Sequence, residues 1–188
     1  MRKVIVIGGG VAGLQAGVFT AKAGEETLVL DTDESLVHNT SNIQNLIGHE
    51  SITGQEVLRS GRQKLDDFGA EYKEEKVEDL QKTEEGYSVE TDKSDYEAEY
   101  VIIASAGSLE FLEGLDLEFE EGVEGPYMME RHIVTDDTNK AEAAERLYVA
   151  GLSNSWEYQT STAIGSGAKA AVNLLTEIKG EPYTDHDT

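Results

Sequence analysis

KVIVIGGGVAGLQAGVFTAKAGEETLVLD, Lys3 to Asp31, passes from a solid apolar block through three consecutive glycines into a small-residue helical pattern, then returns to an apolar block. Val4–Ile7 predicts a buried strand, Val11 to about Ala23 a helix, and Thr27–Leu30 a second strand. This is a βαβ unit, and it implies a parallel sheet. Gly8, Gly10 and Gly13 fill the three glycine positions of G-x-G-x-x-G. The first permits the tight turn, the second lets a pyrophosphate approach the backbone, and the third lets the helix pack on the strand. Phosphates would then sit on the free N–H groups at the helix start, at Val11 and Ala12, and on the positive end of its dipole. Asp31 closes the second strand at the spacing of an acid that accepts hydrogen bonds from a ribose hydroxyl, and its charge disfavours a 2′-phosphate.

Outward from this unit, a polar loop leads to TGQEVLRSGRQKLDDFGAE. Here Val57, Leu58, Gly61, Leu65 and Phe68 share one helical face, and Gly69 stands where a C′ glycine belongs. Lys76–Gln81, Tyr87–Thr91 and Tyr96–Glu99 read as a small antiparallel three-stranded meander placed before another buried strand, Val101–Ala104. Leu109–Glu124 reads as a surface connection with one turn of helix. MMERHIV (128–134) and ERLYVAG (145–151) give two more strands, and the second runs into a late glycine-punctuated helical pattern.

At 188 residues the chain suits one domain, 1–188. Its 38 acidic residues outnumber 15 Lys plus Arg, for a net charge of -23 spread along the sequence. Such a surface repels nucleic acid and anionic membranes, so neither is expected as a partner. At about 1 M salt the Debye length falls to about 3 Å and self-repulsion largely vanishes, which makes a salt-adapted protein the leading reading and an ordinary acidic protein the alternative. There is no cysteine, which excludes thiolate metal sites and a Cys-x-x-Cys relay. No apolar run approaches a membrane span, and Met1 leads directly into a strand, so a soluble cytoplasmic protein is expected. His38, His49, His132 and His186 lack metal-ligand spacing, so no metal site is assigned.

Taken together, these pieces resemble the FAD-binding domain of thioredoxin reductase-like pyridine nucleotide-disulfide oxidoreductases, a Rossmann-like α/β fold, over nearly the whole chain. GGGVAGLQAG and LVLD match the first nucleotide motif, and QNLIGHESITGQEVL is similar to the family's Asn-x-x-Gly loop, placing Asn45 near a flavin. VIIASAGS resembles the Ala-Thr-Gly strand end, with Ala104 conforming and Ser105 and Ala106 departing. LYVAG and QTSTAIGSGAKAA match the C-terminal flavin motif and imply cofactor contacts at Gly151, Leu152, Gln159, Thr160 and Ala163. The resemblance implies one extended FAD, gripped at its ADP half by the first glycine turn and at its flavin half by the late unit.

Two departures stand out. Only about 28 residues separate Ser105 from Ile133, where the family inserts an NADPH-binding domain carrying the redox cysteines. A self-sufficient thioredoxin reductase is therefore not expected; electrons would come from a redox partner protein or a small molecule. The family's Gly-Asp is here Gly151-Leu152, which removes a charge-assisted bond to the ribityl chain, with Ser153 and Asn154 as the nearby substitutes. Trp156 and Tyr158 are candidates to cover the flavin, and His38 and His49 lie in the loop expected near it. No catalytic residue is assigned. Two functions stand: an FAD-dependent oxidoreductase, assembling as a homodimer by family analogy, or a nucleotide-binding module that has lost flavin chemistry. A NAD-linked dehydrogenase is weaker, because no catalytic domain accompanies the fold.

Overall fold

A computed structural model describes residues 1–107, 109–123 and 129–185; His186 and the Met128 end of one strand candidate lie outside them. Its centre is the expected parallel unit. β1 (Arg2–Ile7), α1 (Val11–Lys22) and β2 (Thr27–Asp31) follow one another, and β1 pairs parallel with β2 from Val4↔Thr27 to Ile7↔Leu30. α2 (Gly54–Asp67) packs across α1. A Cβ on Gly61 would stand 2.9 Å from the Leu14 side chain, so the glycine sets the closeness of that contact. Phe68 does not join the buried face: the helix ends before it and it is 39% exposed, while Gly69 takes the left-handed φ of 76° expected of C′.

β3 (Glu71–Glu74), β4 (Val77–Lys82), β5 (Tyr87–Thr91) and β6 (Asp95–Ile103) follow. β3, which the sequence reading left out, pairs parallel with β2 as the sheet edge. The third meander strand and the next buried strand are one: β6 runs continuously, pairing antiparallel with β5 through its first half and parallel with β1. Its second half also pairs parallel with β9 (Leu147–Val149). β4, β5 and β6 form the expected antiparallel meander, grown out of the parallel sheet.

Both faces of the sheet are covered, which is why its strands read as unbroken apolar runs. Val4, Val6, Tyr100, Ile102 and Tyr148 face α1, α2 and α3 (Thr160–Lys179). Ile5, Ile7, Val101, Ile103 and Val149 face the other layer, with Leu109, Phe111, Leu112 and Ile133. The stretch after Ser108 is thus a cover and not a surface connection: Leu112 is 1% exposed, in a short 3-10 turn over Glu110–Leu112. From there β7 (Phe119–Glu121) and β8 (Arg131–Ile133) form a separate antiparallel ribbon.

Candidate functional site

A cleft of about 1100 Å³ opens along the carboxyl ends of β1, β2, β6 and β9. That is slightly larger than the usual small-molecule site and lies at the edge of the sheet where open α/β folds bind ligands. Of the residues singled out in sequence, Gly8, Gly10, Val11, Ala12, Asp31, Asn45, Ala104, Gly151, Leu152, Gln159, Thr160 and Ala163 line it. Gly13 does not, because it is spent on packing. A Cβ there would stand 1.8 Å from the Gly8 carbonyl oxygen. Gly8 turns the chain at φ 103° beneath the Ala104 carbonyl, 2.6 Å from where a Cβ would be.

Two strand-glycine-helix units flank β6. β1 leads through Gly8–Gly10 into α1, and β9 leads through Gly151, at φ 65°, and a loop into α3. The two helices touch: a Cβ on Gly167 would come within 2.0 Å of the Ala12 carbonyl oxygen. Both begin at the cleft without a side-chain cap and without an acid in the first turn. α2 behaves differently, its first turn closed by a capping box in which Thr53 and Glu56 satisfy each other's backbone N–H groups. Two positive helix ends with uncommitted donors therefore face one cavity, an arrangement suited to anionic ligand groups.

At one end of the cleft Asp31 is 8% exposed, and its carboxylate accepts from the Gly9 N–H at 2.8 Å, from the Tyr72 hydroxyl at 2.6 Å and from the Asp33 N–H at 3.2 Å. Gly9 makes this approach possible, since a Cβ there would lie 2.7 Å from the carboxyl carbon. Burial, reinforced by the bond to Asp31, pushes the Tyr72 phenol well above its ordinary value, so it stays a donor. The Arg62 guanidinium, hydrogen-bonded to Asp33, holds that carboxyl below the usual range.

At the other end the polar loop after β2 meets the start of α3. The Asn45 amide donates to the Gln159 side-chain carbonyl at 3.0 Å, joining two residues 114 positions apart that the sequence had marked separately. Gly151 donates its N–H to Ser166 Oγ at 2.9 Å, and the buried Asn139 amide, 3.2 Å from the same oxygen, braces the turn. Leu152 is 8% exposed, joins the apolar layer beneath the cleft, and accepts through its carbonyl from His132 Nδ1 at 2.9 Å.

The substitutes for a carboxylate at position 152 are committed elsewhere. Ser153 is fully buried with its hydroxyl donating to the Ser105 carbonyl, and the Asn154 amide faces Thr135 Oγ1 at 3.4 Å. Tyr158 lines the cleft, but Trp156, 56% exposed, does not. Neither His38 nor His49 lines it: His38 borders a neighbouring groove of about 540 Å³, and His49 is exposed. Among the described residues no group of acids and histidines could hold a metal, and no helix is long and apolar enough to cross a membrane. Ser35, Thr40, Asn42, Glu75 and Lys76 also line the cleft without any motif marking them.

Comparison with known proteins adds to this geometry. A family profile described as pyridine nucleotide-disulphide oxidoreductase matches residues 2–168. A thioredoxin reductase of Treponema pallidum is 27% identical over 166 residues, covering 80% of this chain and 53% of that protein. One from Bacillus subtilis is 34% identical over 104 residues, 54% of this chain and 33% of that protein. The chain thus spans about half, or less, of the length of these curated relatives. The crystal structure of Lactococcus lactis thioredoxin reductase superimposes with a TM-score of 0.83 at 15% identity, covering 96% of this chain and 100% of that chain, which establishes the fold.

Proposed function

Because the chain belongs to the pyridine nucleotide-disulphide oxidoreductase family, whose members bind FAD, we propose that the cleft holds one extended FAD and that the protein is a flavoprotein oxidoreductase. The observation that carries this is the pair of uncapped helix starts, α1 and α3, on a single cavity. A lone dinucleotide turn needs only the first; the second suits the far half of a longer cofactor. In this reading the N–H groups at Val11 and Ala12 receive the pyrophosphate, Asp31 the adenosine ribose, and Gly151, Gln159, Thr160 and Ala163 the flavin half. FAD, when bound, supplies reversible electron transfer. The start of α3, equivalent to about half a positive charge, offsets negative charge at the flavin edge beside it. Leu30, Leu36, Phe111 and Leu152 keep water from the cleft walls.

Electrons would enter from a partner protein or a small molecule and not from a bound nicotinamide cofactor. Between Ser105 and Ile133 the described residues form the 3-10 turn and the β7–β8 ribbon, and the sequence has no cysteine to carry a disulfide relay. A cytoplasmic setting of high salt, which would screen the net charge of -23, and assembly as a homodimer complete the proposal.

One observation favours a second reading, a nucleotide-binding module without flavin chemistry: Leu152 faces the cleft where the family pattern carries Asp, and packs into the apolar layer. The absorption spectrum of protein purified at about 1 M salt separates the two. Stoichiometric flavin, released and identified as FAD, supports the oxidoreductase. Colourless protein that takes up ADP but no added FAD sinks it in favour of the module.

A further inference from the structure

The contacts of Asp31 point to a residue that no motif marks. A carboxylate offers about four acceptor positions. Asp31 Oδ2 receives the Tyr72 hydroxyl and the Asp33 N–H, whereas among the described residues Oδ1 receives only the Gly9 N–H. Tyr72 reaches it from β3, which pairs with β2 at Val29↔Tyr72. Its ring is covered by the Arg62 guanidinium at 4.6 Å, and Arg62 is itself bonded to Asp33 and 3.9 Å from Asp31 Oδ2. Tyr72 and Asp33 thus fill the two acceptor positions of Oδ2, with Arg62 beside it, and leave an acceptor position on Oδ1.

We infer that Tyr72, held under Arg62, is a positioning residue for ribose recognition. By occupying Oδ2 it fixes the rotation of the Asp31 carboxylate, so that Oδ1 keeps one acceptor position for a ribose hydroxyl. The inference rests on the reading that the cleft takes the ADP half of a cofactor at Asp31. It adds a selection rule. A 2′-phosphate would meet a fixed anion, and the guanidinium within 4 Å of it, Arg62, is already paired with Asp33.

Calorimetric titration of the full chain with ADP and with 2′,3′-dideoxyADP, which lacks both ribose hydroxyls, tests this. Wild type is expected to prefer ADP by about tenfold or more, the effect of a hydrogen bond to a charged group. Tyr72→Phe, which keeps the ring under Arg62, is expected to cut the preference to about threefold or less while moving dideoxyADP affinity by less than about twofold. A merely structural Tyr72 would weaken both ligands alike or neither, and a preference unchanged in Tyr72→Phe overturns the inference. Arg62→Met is the second variant. It is expected to lower the same ratio, so an unchanged ratio there overturns the inference even if Tyr72→Phe does not fold. A wild type that binds ADP without preference refutes the placement of ribose at Asp31, and this inference falls with it. A wild type that fails to bind ADP refutes the cofactor reading itself.

Discussion

Gly10→Val separates binding from folding at the first turn. The φ of Gly10 is -68°, open to any residue, and a Cβ there meets only Ser35 Oγ at 3.3 Å. Replacing glycine at this helix cap costs about 1 kcal/mol. For a chain of this size that moves the thermal midpoint by about 2–4 °C. The same atoms intrude where the pyrophosphate is proposed to approach the backbone. FAD at a hundredfold excess over its dissociation constant stabilises wild type by about 2.7 kcal/mol, an upward shift of about 5–11 °C. If the variant loses at least about a hundredfold in affinity, the same FAD concentration returns no more than about 0.4 kcal/mol, a shift of about 1–2 °C. Differential scanning fluorimetry with and without FAD reads both numbers. Gly10→Val that keeps the full shift refutes the placement of the pyrophosphate; Gly10→Val that fails to fold refutes the claim that the position is sterically free.

Gly13→Ala should do the opposite, lowering the midpoint without ligand by overpacking of about 1–3 kcal/mol or more, since its Cβ would stand 1.8 Å from the Gly8 oxygen; an unchanged midpoint contradicts the packing. Leu152→Asp restores the family's carboxylate at the flavin end and should raise FAD affinity by about tenfold or more, while lowering stability without FAD because it places a charge in the apolar layer. A loss of FAD affinity would show that the flavin half does not lie at residue 152. Tyr87, buried with its hydroxyl donating to the Glu145 carbonyl at 2.5 Å, has its phenol pushed up from 10.0 to about 12. The raised value means that this stability is fully present below pH 10 and is lost as pH rises through about 12. Tyr87→Phe should flatten that alkaline limb in a pH series of denaturant melts, and an identical limb in both proteins counts against the assignment. Raising salt from about 0.1 to 1 M should stabilise the wild type by screening its charge, and a midpoint insensitive to salt argues against salt adaptation.

The parts of the fold legible in sequence were those where pattern and glycine chemistry agreed. β1, α1 and β2 fall within a residue or two of their expected bounds, because both strands are apolar on two faces and the glycines have no other economical use. β3 was invisible: as an edge strand with both faces partly wet, EYKE carries the charge of a loop. Leu109, Phe111 and Leu112 are buried against the far face of the sheet, yet their acidic neighbours gave that stretch the look of a surface segment. Asn45 and Gln159 were each marked by resemblance, but their hydrogen bond depends on the closure of two loops far apart in the chain, which no local pattern encodes. Tyr72 and Arg62 had no signal, since one lies on the unread strand and the other on the polar side of a helix.

The β7–β8 ribbon bears on how such a chain is assembled from parts. Phe119 pairs with Ile133 and Glu121 with Arg131, so the two ends of the intervening segment stand side by side on neighbouring strands. Sequence spliced between Glu121 and Arg131 would depart and return at one doorway, provided that Met129, buried in the layer that covers the sheet, is kept. The ribbon is also not remote from the cleft, because His132 of β8 bonds the carbonyl of Leu152, which lines it.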